Sequence, residues 1–459
     1  MENTVYSLAK DIAERRVSPL KIVSETIEKI EKENQKLNCF ITILKEYALQ
    51  QAERAEKEIL EGRYRGPLHG IPIAIKDIIY VKGVRCTAGS KILLENVAEY
   101  DAIVTKKLKE AGAVIVGTTN LHEFASGVTS VNPHFGPVRN PWDKARIAGG
   151  SSGGSAAAVS ASLVPIALGT DTSGSIRIPA ALCGTVGLKP TYGTVSRIGV
   201  IPLASSFDTV GPIGRSVFDC WITLKEITGH ESYDITTVEF SVKGLEERAR
   251  EKTYSVGIPV NMLKDVEEGV LKVFEGFKKR LDNLGFKLKE FELPEVEKLN
   301  SVWETIRRAE ASAFHAGWLR NFAEMYGKDV REKLELGMKI YAIDYINAQN
   351  IRPHLRNVYL ASIEGLDFIA MPTTLVPAPK IGEESIVVGE KNLSVYDALS
   401  HNTRLFNALG FPAISIPCGL SGGLPVGAQL VGKPYEDTVL LEASSIYEER
   451  YGFQEVPKV

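Results

Sequence analysis

Residues 67 to 220 alternate short apolar segments with helical patterns, and this alternation restricts the fold more than any other feature. The segments 71–75, 113–117 and 164–168 are apolar throughout, as expected for strands that are buried on both faces of a sheet. Between them, residues 101–111 have the pattern of a connecting helix. We therefore predict an α/β fold: a central mixed β-sheet covered by helices in an α/β/α layered arrangement.

The rest of the chain predicts one large domain over residues 1–459. Residues 1–66 are expected to form an N-terminal helical layer, since Ile22 and Ile30 belong to an apolar series at helical spacing. Residues 67–220 form the expected core, and residues 230–365 a mostly helical elaboration. We find no Pro/Ser-rich linker and no internal repeat that would separate two halves.

Composition excludes several classes of function. The net charge of −3 provides no field for holding nucleic acid directly or an anionic membrane. The five cysteines include no CxxC pair, so neither a disulfide framework nor a cysteine zinc site is expected. There is no HExxH motif, and we expect neither a metal nor an organic cofactor. The N-terminus does not resemble a signal peptide and no apolar run is long enough to span a bilayer, which favours a cytoplasmic protein.

Two glycine- and serine-rich stretches stand apart, Gly149-Gly-Ser-Ser-Gly-Gly-Ser155 and Asp171-Thr-Ser-Gly-Ser-Ile-Arg-Ile-Pro179. Glycine permits backbone conformations and close approaches that other residues do not allow. A phosphate cradle is disfavoured because the P-loop and GxGxxG patterns are absent. Two interpretations stay open: a purely structural turn, or a nucleophilic serine beside backbone N–H groups that stabilise an oxyanion.

A nucleophilic serine needs a base, and the sequence offers two kinds. Any of the seven histidines could be brought close by folding, although the GxSxG elbow that often accompanies a Ser-His pair is missing. The other candidate is Lys76, at the end of an apolar strand, where burial would favour its neutral form. It could instead pair with Asp77, but strand alternation directs adjacent side chains to opposite faces. To act near neutrality, the pKa of Lys76 must fall by roughly 3 from its usual value.

Three dispersed motifs together resemble the amidase signature family: Gly70-Ile-Pro-Ile-Ala-Ile-Lys-Asp77 and the two glycine- and serine-rich stretches. The likeness extends through Gly184-Thr-Val-Gly-Leu-Lys-Pro190 and Pro412-Ala-Ile-Ser-Ile-Pro-Cys-Gly419, and covers the chain from about residue 5 to 450. The resemblance implies a Ser-cisSer-Lys triad. In that triad Ser175 attacks the amide carbonyl, Ser151 follows a cis peptide bond and relays the proton, and Lys76 is the general base.

The resemblance also implies the residues around the triad. Ser152 and Asp171 are expected to orient the loops, and Arg177 to be structural. Backbone N–H groups are expected to form the oxyanion hole, and a short loop the wall of the acyl pocket. The oxyanion residues are Thr172, Ser173, Gly174 and Ser175, and the pocket residues are Ala125, Ser126 and Gly127.

Several functions fit such a chain. We favour a stand-alone amidase, able to form a homodimer, that converts a small-molecule amide to a carboxylate plus ammonia or an amine. The alternative is the A subunit of a tRNA-dependent amidotransferase, which releases ammonia from glutamine and passes it to a partner subunit. That subunit resembles this chain at Arg352, which would hold a carboxylate, but it carries an aspartate for the ammonium group where this chain has Ser400. An inactive binding scaffold is a third interpretation, opposed by the presence of all three triad residues.

Overall fold

The computed structural model describes residues 4–245 and 252–458. Within those ranges the helices alternate with strands along most of the chain. The helices are α1 (Val5–Ala13), α2 (Pro19–Leu37), α3 (Lys45–Leu60), α4 (Ile103–Glu110), α5 (Gly153–Ser160), α6 (Arg177–Cys183), α7 (Val217–Ile227), α8 (Glu268–Asn283), α9 (Val296–Phe322), α10 (Lys328–Gly337), α11 (Ala342–Ser362), α12 (Val395–Leu409) and α13 (Asp437–Tyr451).

Most strands join one mixed sheet of eleven strands, in the order β1-β3-β2-β6-β8-β7-β14-β15-β11-β9-β10. Two small hairpins, β4-β5 and β12-β13, lie outside it. The strands are β1 (Phe40–Ile43), β2 (Pro72–Lys76), β3 (Val114–Thr119), β4 (Val131–Asn132), β5 (Gly136–Pro137), β6 (Ile166–Asp171), β7 (Val186–Lys189), β8 (Thr209–Gly214), β9 (Ser255–Pro259), β10 (Lys287–Phe291), β11 (Phe368–Pro372), β12 (Ser385–Val388), β13 (Lys391–Ser394), β14 (Ala413–Ser421) and β15 (Leu424–Gly432).

Both faces of the sheet are covered, as the apolar segments predict. In β2, Ile73 and Ile75 belong to one buried cluster, whereas Ala74 between them belongs to another. The same alternation separates Leu168 from Ala167 in β6. Successive side chains of a strand point to opposite faces, so the two clusters are the layers between the sheet and the helices on either side. The predicted α/β layered fold with a mixed central sheet is confirmed.

The predicted elements differ from the structure mainly at the edges of the sheet. The N-terminal helical layer contains an additional edge strand, β1, between α2 and α3, antiparallel to β3. The segment 230–365 is mostly helical, but it also provides β9 and β10, which pair in parallel at the opposite edge of the main sheet. The helical elaboration is therefore continuous with the core sheet. Residues 246–251 of that segment lie outside the described residues.

The boundaries of 1–459 as a single domain stay a prediction. Among the described residues, no helix is both long enough and apolar enough to cross a membrane.

Candidate active site

The topology brings the lysine and the serine loops to one edge of the sheet. Strands β2 and β6 are parallel neighbours, so their carboxyl ends meet at the same edge. Lys76 is the last residue of β2, and the loop that contains Ser175 leaves the end of β6. Strand order alone thus places the expected base beside the expected nucleophile.

Lys76 lies fully buried at this edge and contacts two hydroxyl groups. Its Nζ donates to Ser151 Oγ and to Thr170 Oγ1, each at 2.8 Å. Burial lowers the pKa of Lys76 from 10.5 to about 7, against the opposing influence of the carboxylates of Asp171 and Asp208. A substantial fraction of the amine is therefore neutral near pH 7, as a general base requires.

Asp77 does not pair with Lys76, as strand alternation predicts. Its Oδ2 accepts hydrogen bonds from Thr87 N at 2.9 Å and from Thr87 Oγ1 at 2.5 Å. Burial raises the pKa of this carboxyl to about 6, while the bonds from Thr87 act in the opposite direction. Asp77 thus anchors the neighbouring loop, and Lys76 has no acidic partner in direct contact among the described residues.

Ser151 is held by a tightly packed glycine segment that leads into α5. The peptide bond between Gly150 and Ser151 is cis, as the resemblance implies. The glycines permit close contact between backbones, since a Cβ at Gly154 would lie 2.3 Å from the carbonyl oxygen of Asn120. Behind Ser151, Ser152 Oγ donates to Thr170 O at 3.2 Å and accepts from Thr170 N at 3.3 Å. The segment is thereby fastened to the end of β6.

Ser175 lies in the turn between β6 and α6, directly against the Ser151 segment. Ser152 N donates to Ser175 O at 3.1 Å, which joins the two loops. Ser175 Oγ is buried and has no hydrogen-bond partner among the described residues. The turn depends on Gly174, whose φ of +122° is rarely accessible to residues with a side chain. The expected nucleophile and the expected relay serine therefore sit on adjoining loops.

A buried ion pair fixes the shape of this turn. Asp171 accepts from Gly174 N at 2.8 Å and from Ile176 N at 3.1 Å. Arg177 donates to both oxygens of the same carboxylate, through Nη2 at 2.9 Å and Nε at 3.0 Å. Although burial favours the protonated carboxyl, the guanidinium of Arg177 holds the pKa of Asp171 well below its usual range. Asp171 and Arg177 thus have the loop-positioning contacts that the resemblance implies.

Three of the four expected oxyanion donors are available. The backbone N–H groups of Thr172, Ser173 and Ser175 make no hydrogen bond to any residue that the structure describes. The N–H of Gly174 differs, because it is donated to Asp171. Gly174 therefore provides the conformation of the turn, and its neighbours provide the available donors.

The expected acyl-pocket residues lie on a tightly bound loop above this edge. Ala125 lines a narrow pocket together with Thr170 and Thr172. Ser126 and Gly127 follow in the same loop, and Ser126 Oγ is buried without a hydrogen-bond partner among the described residues. The structure thus brings Ala125 to the oxyanion turn, whereas Ser126 and Gly127 do not line that pocket.

The loop is held from outside by the helical elaboration. His122 Nε2 lies 2.9 Å from Asp329 Oδ2, and Lys333 Nζ donates to Ser126 O at 2.8 Å. Both partners belong to α10. At the start of the loop, the buried Glu123 accepts from Gly327 N at 2.8 Å. The pocket wall therefore depends on a segment distant in sequence.

Arg352 lies in α11 with its guanidinium directed to backbone carbonyls. Its Nε donates to Ala408 O at 2.5 Å and its Nη2 to Ser206 O at 3.0 Å. Ser400 is buried and donates to Tyr396 O at 2.7 Å. The nearby Asp397 is paired with Arg404 at 2.7 Å. Among the described residues, the side chain of Ser400 thus makes no hydrogen bond to a carboxylate, and the acid nearest to it along the chain is already paired.

Three further side chains support the site and are not among the residues predicted from the sequence. Thr170 accepts from Lys76, Asp208 accepts from Thr172 Oγ1 at 2.5 Å, and Trp303 Nε1 donates to Thr172 O at 3.3 Å. Thr170 could have been found from its place beside Asp171 at the end of an apolar strand. Trp303 carries no such signal, because a tryptophan on an apolar helix face indicates only a core position.

Comparison with known proteins is consistent with this geometry. A family model described as Amidase matches residues 21–441. A curated relative, the A subunit of the Glutamyl-tRNA(Gln) amidotransferase of Carboxydothermus hydrogenoformans, is 37% identical over 489 residues and aligns over 99% of both chains. The crystal structure of an amidase is 34% identical, with a TM-score of 0.89, and aligns over 98% of this chain and 100% of its own. The corresponding A subunit from Thermotoga maritima is 36% identical, with a TM-score of 0.83, and aligns over 100% of this chain and 98% of its own.

These relatives bear on the choice between the functions considered above. The curated relatives match along nearly their full length and are amidotransferase A subunits. They support that alternative better than the stand-alone amidase that sequence analysis favours. Both alternatives cleave an amide C–N bond. Because the family model and the full-length relatives cover nearly the whole chain, the protein belongs to the amidase family, the amidase signature enzymes, and is an amide-cleaving enzyme.

Proposed function

We propose that this enzyme cleaves a carboxylic amide through an acyl-enzyme on Ser175. Neutral Lys76 takes the proton of Ser151 Oγ, which in turn takes the proton of Ser175 Oγ as that oxygen attacks the carbonyl carbon. The tetrahedral oxyanion is stabilised by the backbone N–H groups of Thr172, Ser173 and Ser175. The proton returns through Ser151 to the leaving nitrogen as the C–N bond breaks, and water then releases the carboxylate.

One observation carries this proposal: Lys76 Nζ lies 2.8 Å from Ser151 Oγ, fully buried and without a contacting carboxylate among the described residues. Burial alone disfavours the ammonium form, whereas a paired carboxylate would restore it. The neutral amine of Lys76 therefore contacts the hydroxyl of Ser151, which lies on the loop next to that of Ser175. Burial alone does not identify such a base, since it also lowers the pKa of Lys189 to about 7, and the Nζ of that lysine donates to the carbonyl of Pro190. Lys76 differs because its Nζ contacts the hydroxyl of Ser151.

The experiment measures ammonia release from a panel of primary amides. Ser175→Ala and Lys76→Ala are each expected to abolish release, because one removes the nucleophile and the other the base. Ser160→Ala is the matched control, since Ser160 is a buried serine that donates to Cys183 O at the end of α5. Near-normal release by Ser175→Ala would refute the proposal.

The full-length relatives favour a particular setting for this chemistry, the glutaminase A subunit of an amidotransferase. In that setting the amide is glutamine, and the ammonia passes to a partner subunit that modifies a charged tRNA. The test is ammonia release from glutamine, together with affinity purification of the tagged chain from its own cells. We expect glutaminase activity and a partner subunit that co-purifies. Cleavage of other amides without measurable glutaminase activity would contradict this setting.

A second setting, a stand-alone amidase, is favoured by the surroundings of Ser400. The ammonium group of glutamine needs an acidic partner, and the carboxylate closest to Ser400 along the chain, that of Asp397, is already paired with Arg404. Burying an ammonium group without a partner costs several kcal/mol. Glutaramate, the monoamide of glutaric acid, is glutamine without its ammonium group and separates the two settings. A stand-alone amidase should cleave it faster than glutamine, whereas an amidotransferase enzyme should prefer glutamine.

A further inference from the structure

The guanidinium of Arg307 has no hydrogen-bond or ion-pair partner among the described residues. Arg307 lies on α9 and is only 5% exposed. Its Nε is buried without a hydrogen-bond partner, and no ion pair or hydrogen bond joins its side chain to any residue that the structure describes. The guanidinium rests instead on Trp303, one helical turn earlier, whose ring centroid lies 5.0 Å from Arg307 Cζ.

The other arginines whose Nε is buried without a hydrogen bond have a polar partner for the guanidinium. Arg308 forms an ion pair with Glu304, and Arg331 lies 3.5 Å from Glu335. Arg215 donates to Ser162 Oγ. A buried cation without an anion or hydrogen-bond acceptor is costly, so proteins rarely keep one without a ligand. The guanidinium of Arg307 is therefore available to bind an anion from outside the chain.

Arg307 is linked to the oxyanion turn through Trp303. The ring of Trp303 on which Arg307 rests donates its N–H to Thr172 O, in the oxyanion turn. A second guanidinium, that of Arg404, lies 5.6 Å from the same ring centroid and is fixed by Asn300 and Asp397. Of the two guanidinium groups beside this indole, Arg404 is therefore already paired, and Arg307 is the one without an anion among the described residues.

We propose that Arg307 binds a carboxylate group of the amide substrate. The inference rests on the proposed function, because it assigns the substrate of the same site. A guanidinium is suited to this task, since its planar donors match a carboxylate. Arg352 is less suited, because two of its nitrogens already hold backbone carbonyls. The substrate is accordingly an amide with an anionic group at one end.

The first experiment compares glutaramate and glutamine, which carry a carboxylate, with pentanamide, which does not. Arg307→Gln should lower kcat/KM for whichever carboxylate substrate is cleaved by about 10- to 100-fold, the range for losing one charge-assisted hydrogen bond. It should change kcat/KM for pentanamide by less than about threefold, because no charge is bound there. Arg308→Gln, which alters the neighbouring guanidinium on α9, is the matched control and should affect none of the three substrates.

A second measurement does not depend on turnover. In the Ser175→Ala background, glutaramate should raise the thermal unfolding temperature, and the added Arg307→Gln change should remove that increase.

The outcomes separate this inference from the proposed function. Equal losses on charged and neutral amides, or ligand stabilisation that survives Arg307→Gln, would overturn the carboxylate role while leaving amide cleavage intact. Absence of cleavage for every amide, with thermal stabilisation by glutaramate that requires Arg307, would overturn the proposed catalysis and retain the anion site.

Discussion

The charge state of Lys76 leads to a pH dependence that can be measured without knowing the substrate. Burial lowers its pKa from 10.5 to about 7, which corresponds to about 5 kcal/mol by which the site disfavours the ammonium. The group is a base, so its active neutral form increases as pH rises through about 7. About one tenth of the amine is neutral at pH 6 and about nine tenths at pH 8, whereas a normal lysine would be less than about 1% neutral at pH 8.

The assay is the rate at which a fluorophosphonate labels Ser175 between pH 5.5 and 9. We expect the rate to rise about tenfold from pH 6 to pH 8 and then to level off. Lys76→Arg should be labelled at a very low rate throughout, because a guanidinium does not lose its proton in this range. A flat profile for the unchanged enzyme, or an active Lys76→Arg variant with the same profile, would show that another group is the base.

Three further predictions concern the surrounding loops. Ser151→Ala should retain a small residual labelling rate, because water can replace the relay imperfectly, and a normal rate would exclude Ser151 from the relay. Gly174→Ala should abolish activity, because the backbone has a φ of +122° there and the new Cβ would lie 2.2 Å from Thr403 Oγ1. The control is Gly317→Ala in α9, where the new Cβ has no neighbour within 4 Å. This variant should be fully active and slightly more stable to urea. Asp171→Asn should lower the free energy of unfolding in urea titrations by about 3–5 kcal/mol, because the buried charge of Arg177 loses its anion. A loss below about 1 kcal/mol would show that the ion pair does not hold the turn.

The glycine- and serine-rich loops and the central strands could be predicted because their signals are local. The segment that ends at Lys76 is apolar throughout, which is typical of a strand buried on both faces. The structure shows that strand, with all of its residues buried. The N-terminal helices and the connecting helix α4 are likewise visible in the apolar periodicity of the sequence. The short strand β1 escapes such an analysis, since four residues between two strong helices carry little periodic pattern. The pairing of β9 with β10 at the far edge of the main sheet also depends on contacts that no local pattern encodes.

The features of the site that could not be predicted are those that depend on distant contacts. The Gly174 N–H donates to the carboxylate of Asp171. This hydrogen bond depends on how the turn folds, so the spacing of the motifs does not predict it. In the sequence, Arg307 is one more charged residue on a helix, and only the structure shows it buried and without a partner among the described residues. The sequence motifs predict the chemistry, whereas the proposed carboxylate site lies on α9, a helix of the elaboration.

The most direct test of the central claim is to locate the adduct after fluorophosphonate treatment by mass spectrometry of proteolytic peptides. The account predicts a single modified serine, Ser175, with modification lost in Ser175→Ala and greatly slowed in Lys76→Ala. Modification of Ser151 or of a serine outside this edge of the sheet, with Ser175 unmodified, would contradict it.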